Sequence, residues 1–248
     1  MYIKYFILSF LFSFSISISN SQNTTSMKNN YLWFDKQVGI ENTELFNGLR
    51  YNEEFRMEND NHKFYKTLEF LNGDIIYDRQ PYYDIQMKYD LYEDQIIVNL
   101  ITKSGNNILK LLNSKINRFT INGSEFIKLS SSSIINSNEM ISGIFETLFN
   151  STDFTLYKKN KKKAKKIITK KYLYYTFKED NQYYGYQYKN YYLIKSKKDW
   201  IKIFPNQKKE IQTFYNKNKL LIQSDYDLFL KQLSLKLSNS IAYNTSLN

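Results

Sequence analysis

The chain contains no cysteine, one histidine, two prolines and seven glycines in its 248 residues. Without cysteine there is no disulfide, no thiolate metal or redox centre, and no lipid-bearing cysteine of a bacterial lipoprotein. The lone histidine, His62, leaves no partner for a histidine-based catalytic set or a multi-histidine metal site. It falls in the charged run 53–63, which reads as a solvated connector with His62 exposed. No nucleophile elbow, phosphate-binding glycine loop, zinc-ligand spacing or EF-hand pattern occurs. These absences argue against the well-marked enzyme classes, and no cofactor is expected.

Beyond the first 21 residues no apolar run approaches the ~20 residues of a membrane span. Residues 1–21 themselves have the form of a secretory signal peptide. Lys4 supplies the positive start, residues 6–18 an apolar stretch broken only by serines, and Ser19 and Ser21 small residues for cleavage near Ser21. A secreted or periplasmic protein is therefore expected. Export without disulfides fits a bacterial periplasm or cell surface better than a eukaryotic secreted module. After the signal come a polar, flexible leader (22–30), a β-rich domain (31–195) and a helical segment (196–248) packed on the same domain.

The organising stretch is 73–129, where short apolar runs alternate with turn signals. Ile85, Met87, Tyr89 and Leu91 fall at every second position, the period of a half-buried strand. Ile96, Ile97, Val98, Leu100 and Ile101 make a β-branched strand after the Tyr92-Glu93-Asp94 turn. Asn122-Gly123 marks a hairpin, because both central positions of such a two-residue loop need positive φ. Further strands follow around 140–149, 154–157, 172–177, 183–188 and 191–194. The period then changes. Ser196 and Asp199 form a capping-box signature, Pro205 stops that helix, and Asn206 can cap the next. Tyr226, Phe229, Leu230, Leu233 and Leu237 recur at helical steps. The fold class expected is α+β: a mostly antiparallel sheet, curled as an open barrel or roll, with two or three short C-terminal helices.

Two clusters carry candidate contacts. Nine lysines without an acid occupy 158–171: Lys158, Lys159, Lys161, Lys162, Lys163, Lys165, Lys166, Lys170 and Lys171. They would account for most of the net charge of +11. Such a patch attracts anionic lipid, lipopolysaccharide or another envelope protein, or serves only as a charged, soluble extension. Lysine without arginine disfavours bidentate phosphate reading, and with it nucleic acid as a partner. The second cluster is tyrosine-rich, 172–192, where Tyr184, Tyr186 and Tyr188 would share one sheet face as a contact surface. The bland alternative is cross-strand aromatic pairing.

The carboxylate pairs Glu53/Glu54, Glu93/Asp94 and Asp225/Asp227 are the acids available for hydrolysis or Ca²⁺. Acids at a turn or a helix start also stabilise without any chemistry.

A Tyr89-Asp90-Leu91 strand end, the Asn122-Gly123 hairpin, a Tyr/Lys strand run, Ser196-Lys197-Lys198-Asp199, Phe204-Pro205 and Asn218-Lys219-Leu220 follow an early Asn47-Gly48 turn. In this order they resemble a family of exported proteins of bacteroidete-type bacteria that has no assigned activity. The resemblance implies a compartment and carries over no site. The function expected is that of an exported, non-enzymatic structural or binding protein touching anionic envelope components through its lysines. The rivals are a hydrolase of envelope or extracellular polymer using a carboxylate pair, and an adaptor using exposed aromatic strands.

Overall fold

The computed structural model describes residues 19–57, 59–135 and 137–245. The greater part of the expected signal peptide lies outside them. Among the described residues, thirteen strands and five α-helices make an α+β structure. An eleven-stranded antiparallel sheet, not closed on itself, contains β1 (Leu49–Arg50), β2 (Leu71–Tyr77), β3 (Gln80–Asp90), β4 (Gln95–Thr102), β5 (Gly105–Lys110), β6 (Ile116–Ile121), β7 (Ser124–Ser133), β8 (Met140–Asn150), β9 (Thr155–Lys159), β12 (Gln182–Gln187) and β13 (Asn190–Ile194). Its order is β1-β5-β4-β3-β2-β6-β7-β8-β9-β12-β13. The missing pair, β10 (Lys162–Ile168) and β11 (Leu173–Glu179), forms a two-stranded sheet of its own.

The alternation in 73–129 builds this sheet. Ile75, Tyr77, Met87, Tyr89, Ile96, Val98, Phe119, Ile121 and Phe126 are buried in one cluster. Strands β3 and β7 are three steps apart in the sheet, about 14 Å if it were flat. Yet the rings of Tyr89 and Phe126 lie 5.5 Å apart, and Phe119 stacks on Phe126 at 4.7 Å. The sheet therefore curls around its own apolar face, as an open roll. The hairpin expected at Asn122-Gly123 joins β6 to β7, with φ of 48° and 77° at the two residues.

At the other end, α2 (Lys197–Ile203), α3 (Lys208–Lys217), α4 (Lys219–Ser224) and α5 (Tyr226–Thr245) pack on the sheet. The helices number four rather than two or three. One break falls at Asn218, which gives no proline or glycine signal, and Asn206 lies in a short 3₁₀ turn instead of capping α3. The Asp199 carboxylate accepts the Ser196 N–H at 3.0 Å, and Asp225 caps α5 by accepting the Leu228 N–H at 2.8 Å. Phe229, Leu230, Leu233 and Leu237 of the predicted stripe are fully buried with Trp200, Phe204 and Ile211.

Two local expectations are corrected. Residues 22–30 lie within helix α1 (Ser19–Val38), where a flexible leader was expected. The helix has no apolar stripe to announce it; Lys28 ties it to Asp84 at 2.9 Å, and Tyr31 rests against Tyr83. The connector 53–63 is not solvated at its end, for His62 and Lys63 are both buried. The His62 ring Nδ1 accepts the Phe64 N–H at 3.1 Å, and burial pushes the imidazole below its usual pKa. Lys63 is drawn in by Asp90, 2.9 Å away. Ion pairing between two charged residues far apart in sequence has no periodicity, so charge alone reads as exposure.

Candidate functional site: a basic arm and the polar cleft at its base

Strand β12 pairs directly with β9, Tyr184 opposite Tyr157, so β10 and β11 are looped out of the sheet as a hairpin arm. Seven residue pairs hold the arm, from Lys162↔Glu179 at its base to Ile168↔Leu173 at its outer end. Its inner end is anchored. Phe177 is buried and meets Phe55 and Tyr92 edge-on, and the Tyr175 N–H donates to the Arg56 carbonyl at 2.9 Å. Beyond that point the arm has no core to serve.

The nine lysines divide according to this geometry. Three turn inward. Lys158 is buried, its Nζ 2.6 Å from Asp227 and over the Tyr183 ring. Lys159 pairs with Asp94 at 2.5 Å and donates to the Ile144 carbonyl at 3.0 Å. Burial lowers its pKa, against the opposing pull of Asp94. Gly143 makes this pair possible. At φ 98° a Cβ there would stand 2.5 Å from the Asp94 carboxylate and 2.9 Å from the Lys159 amine. Lys162 donates to the carbonyls of His62 (2.7 Å) and Phe64 (3.1 Å), and its pKa too is lowered by burial.

The other six, Lys161, Lys163, Lys165, Lys166, Lys170 and Lys171, are exposed. Only Lys163 has an ion-pair partner among the described residues, Asp180 at 2.9 Å. Lys163 also stands directly across the ladder from Lys178. Like charges in that position cost stability, so nothing in the fold asks for them.

The three tyrosines are not brought together as a contact face. Tyr184 is buried against Phe145, Tyr186 is half-buried against Tyr191, and Tyr188 lies past the end of β12 in a turn, 75% exposed. The strand ends one residue too soon to carry the third ring. The sheet edge beyond β13 is partly covered, since Ile134 bridges Tyr191 and the Ile135 N–H donates to the Tyr191 carbonyl at 2.9 Å.

At the base of the arm lies a cleft of about 550 Å³ between the sheet and the start of α5, lined by Tyr65, Glu146, Lys158, Asn160, Lys162 and Asp227 among others. Asp60, Glu146, Glu179, Asp225 and Asp227 all line it, and Glu146 and Asp227 are each held at both oxygens. Glu146 accepts from Tyr65 (3.3 Å) and Asn160 (2.7 Å), one bond to each oxygen. Asp227 accepts from Tyr183 (2.7 Å) and Lys158 (2.6 Å), again one to each. Burial raises the pKa of the Tyr65 and Tyr183 hydroxyls, which stay protonated as donors. General acid catalysis needs a carboxyl edge free to hand over a proton. Here the Asp227 oxygens hold α5 against β9 and β12, and the Glu146 oxygens tie β8 to Tyr65 and Asn160.

Sequence reasoning names Asp227 but misses Glu146, Asn160 and Tyr65. The available signal was Glu146 itself, an acid interrupting the apolar run of β8. Of the other pairs, Asp94 binds Tyr89 and Lys159, Glu93 binds Lys110, and Glu53 meets Lys63. No group of acids and histidines among the described residues could hold a metal ion, and no helix among them is long and apolar enough to cross a membrane. The fold and the arm define an α+β protein with an open antiparallel roll and a detached basic hairpin. No family model, curated protein or solved structure matches the chain.

Proposed function

We propose that the chain is a non-enzymatic binding protein that contacts anionic components of the cell envelope through the outer lysines of the β10–β11 arm. The observation that carries this reading is the division of the lysines: three are consumed inside the fold, and six remain outside with one ion pair among them in the described residues, Lys163 with Asp180. A setting outside the cytoplasm accords with the signal-like pattern of 1–21 and with the resemblance to exported bacteroidete-type proteins. The engagement of Glu146 and Asp227 at both oxygens weighs against hydrolysis through that pair. The short, partly covered β13 edge and the lysine-laden β10 edge weigh against strand addition, for which charged edges are a deterrent.

The test replaces Lys161, Lys163, Lys165, Lys166, Lys170 and Lys171 by glutamine and leaves Lys158, Lys159 and Lys162 in place. Each exposed lysine near an anionic surface contributes ~1 kcal/mol. Affinity for heparin, lipopolysaccharide and anionic vesicles is expected to fall more than about a hundredfold, with thermal stability nearly unchanged. Wild-type binding should also weaken steeply with added salt. Equal affinity of the two proteins overturns the proposal.

A further inference from the structure

The outer end of the arm is apolar as well as basic. Ile168 is 75% exposed, Tyr172 47% and Leu173 40%. Ile168 and Leu173 are directly opposed and share a face of the hairpin with Ala164 and Phe177, four pairs further in. That face begins in the core, against Phe55 and Tyr92, and overhangs it. Around the overhang stand Lys166, Lys170 and Lys171, and the Arg56 guanidinium lies 4.5 Å over the Tyr172 ring. The turn itself is firmly made, with the Thr169 N–H and hydroxyl both donating to the Tyr172 carbonyl at 3.0 and 2.9 Å.

We infer that residues 166–173 are a shallow membrane-docking tip whose partner is the surface of an anionic phospholipid bilayer. This deepens the proposed function and rests on it, since the same lysines supply the charge. A polysaccharide would satisfy the lysines and leave Ile168 and Leu173 in water. A bilayer satisfies both. Lysine stems lie along apolar surface while their amines reach phosphate, and tyrosine rings settle at headgroup level. The overhang from the last anchored pair, Lys166↔Tyr175, to Ile168↔Leu173 is two residues, about 7 Å. That is long enough to reach the headgroup–acyl boundary, 5–10 Å deep, and too short to span.

The experiment sediments the full chain with phosphatidylcholine vesicles, with and without phosphatidylglycerol, beside retention on heparin. The Ile168→Ser, Leu173→Ser double variant is expected to lose about tenfold in affinity for the phosphatidylglycerol vesicles and to keep its heparin retention. Undiminished vesicle affinity overturns the docking tip, while the glutamine variant above decides the charge reading separately. A Leu173→Trp variant guards against a misfolded hairpin. Its tryptophan emission should move to the blue when phosphatidylglycerol vesicles are added and stay fixed with heparin. No shift on vesicles overturns the inference whatever the serine variant does.

Discussion

Replacing Lys63 by methionine is expected to destabilise the fold by about 3–5 kcal/mol at neutral pH, and by clearly less in mild acid. Lys63 and Asp90 are among the most deeply buried charges described, with exposures of 1% and 0%. Asp90 Oδ1 accepts the N–H groups of Tyr92 (2.9 Å) and Glu93 (3.0 Å), while Oδ2 faces the Lys63 amine at 2.9 Å. Lys63 is further held by Glu53 at 3.2 Å and by the Phe55 ring at 4.7 Å. Methionine keeps most of the volume and removes the cation, leaving a carboxylate in a dry site.

The pH dependence follows from the direction of the shifts. Burial raises the Asp90 carboxyl above its usual pKa, and Lys63 and the backbone donors only partly offset this. A carboxyl raised by folding adds stability as pH falls through its folded pKa, because the folded state takes up the proton more readily. Without Lys63 the pKa rises further, so the variant recovers more on acidification than the parent. For Lys63 itself burial pulls the pKa down, but the two carboxylates outweigh it and the net is upward. Its contribution is thus complete below the ordinary lysine value and is lost in strong alkali. Urea titrations at neutral and mildly acidic pH measure both effects. A loss under about 1 kcal/mol, or one that is equal at the two pH values, would contradict the burial of this pair.

Gly73→Ala is expected to cost about 3 kcal/mol or more, the upper end of what overpacking does. An ideal Cβ at Gly73 would lie 1.9 Å from the Thr120 carbonyl oxygen, a backbone atom. That part of β6 is paired to β7, Thr120 opposite Glu125, and Thr120 Oγ1 accepts the Asp74 N–H at 3.2 Å. The clash can be relieved only by parting β2 from β6, the junction that joins the two halves of the roll. Gly123→Ala provides the contrast. Nothing lies within 4 Å of a Cβ there, so only its positive φ counts, at about 1 kcal/mol. Denaturant midpoints of the two variants should differ accordingly, and equal midpoints would remove the β2–β6 contact from the account.

The elements that were legible in the sequence are those whose signals are local. Asn122-Gly123 could be read because positive φ is cheap for those residue types. The α5 stripe could be read because successive members of Phe229, Leu230, Leu233 and Leu237 lie no more than four residues apart. The arm was half legible. Nine lysines in a row of positions announce charge, but which of them point outward depends on where β12 finds its partner. Tyr184 had the same difficulty, since its alternation with Tyr186 was visible and the side it faced was not.

What the chain determined by itself was therefore most strands of the large sheet, the Asn122-Gly123 hairpin, the starts of α2 and α5 and the excess of lysine, all products of backbone preference and spacing over a few residues. Only the tertiary structure decided that β9 would pair with β12 and exclude the arm, that Lys63 would go inside with Asp90, and that Glu146 and Asp227 would be tied up at the arm's base. Each of these joins residues at least fourteen positions apart, and the energy that selects them is burial and charge pairing across space, which leaves no period along the chain.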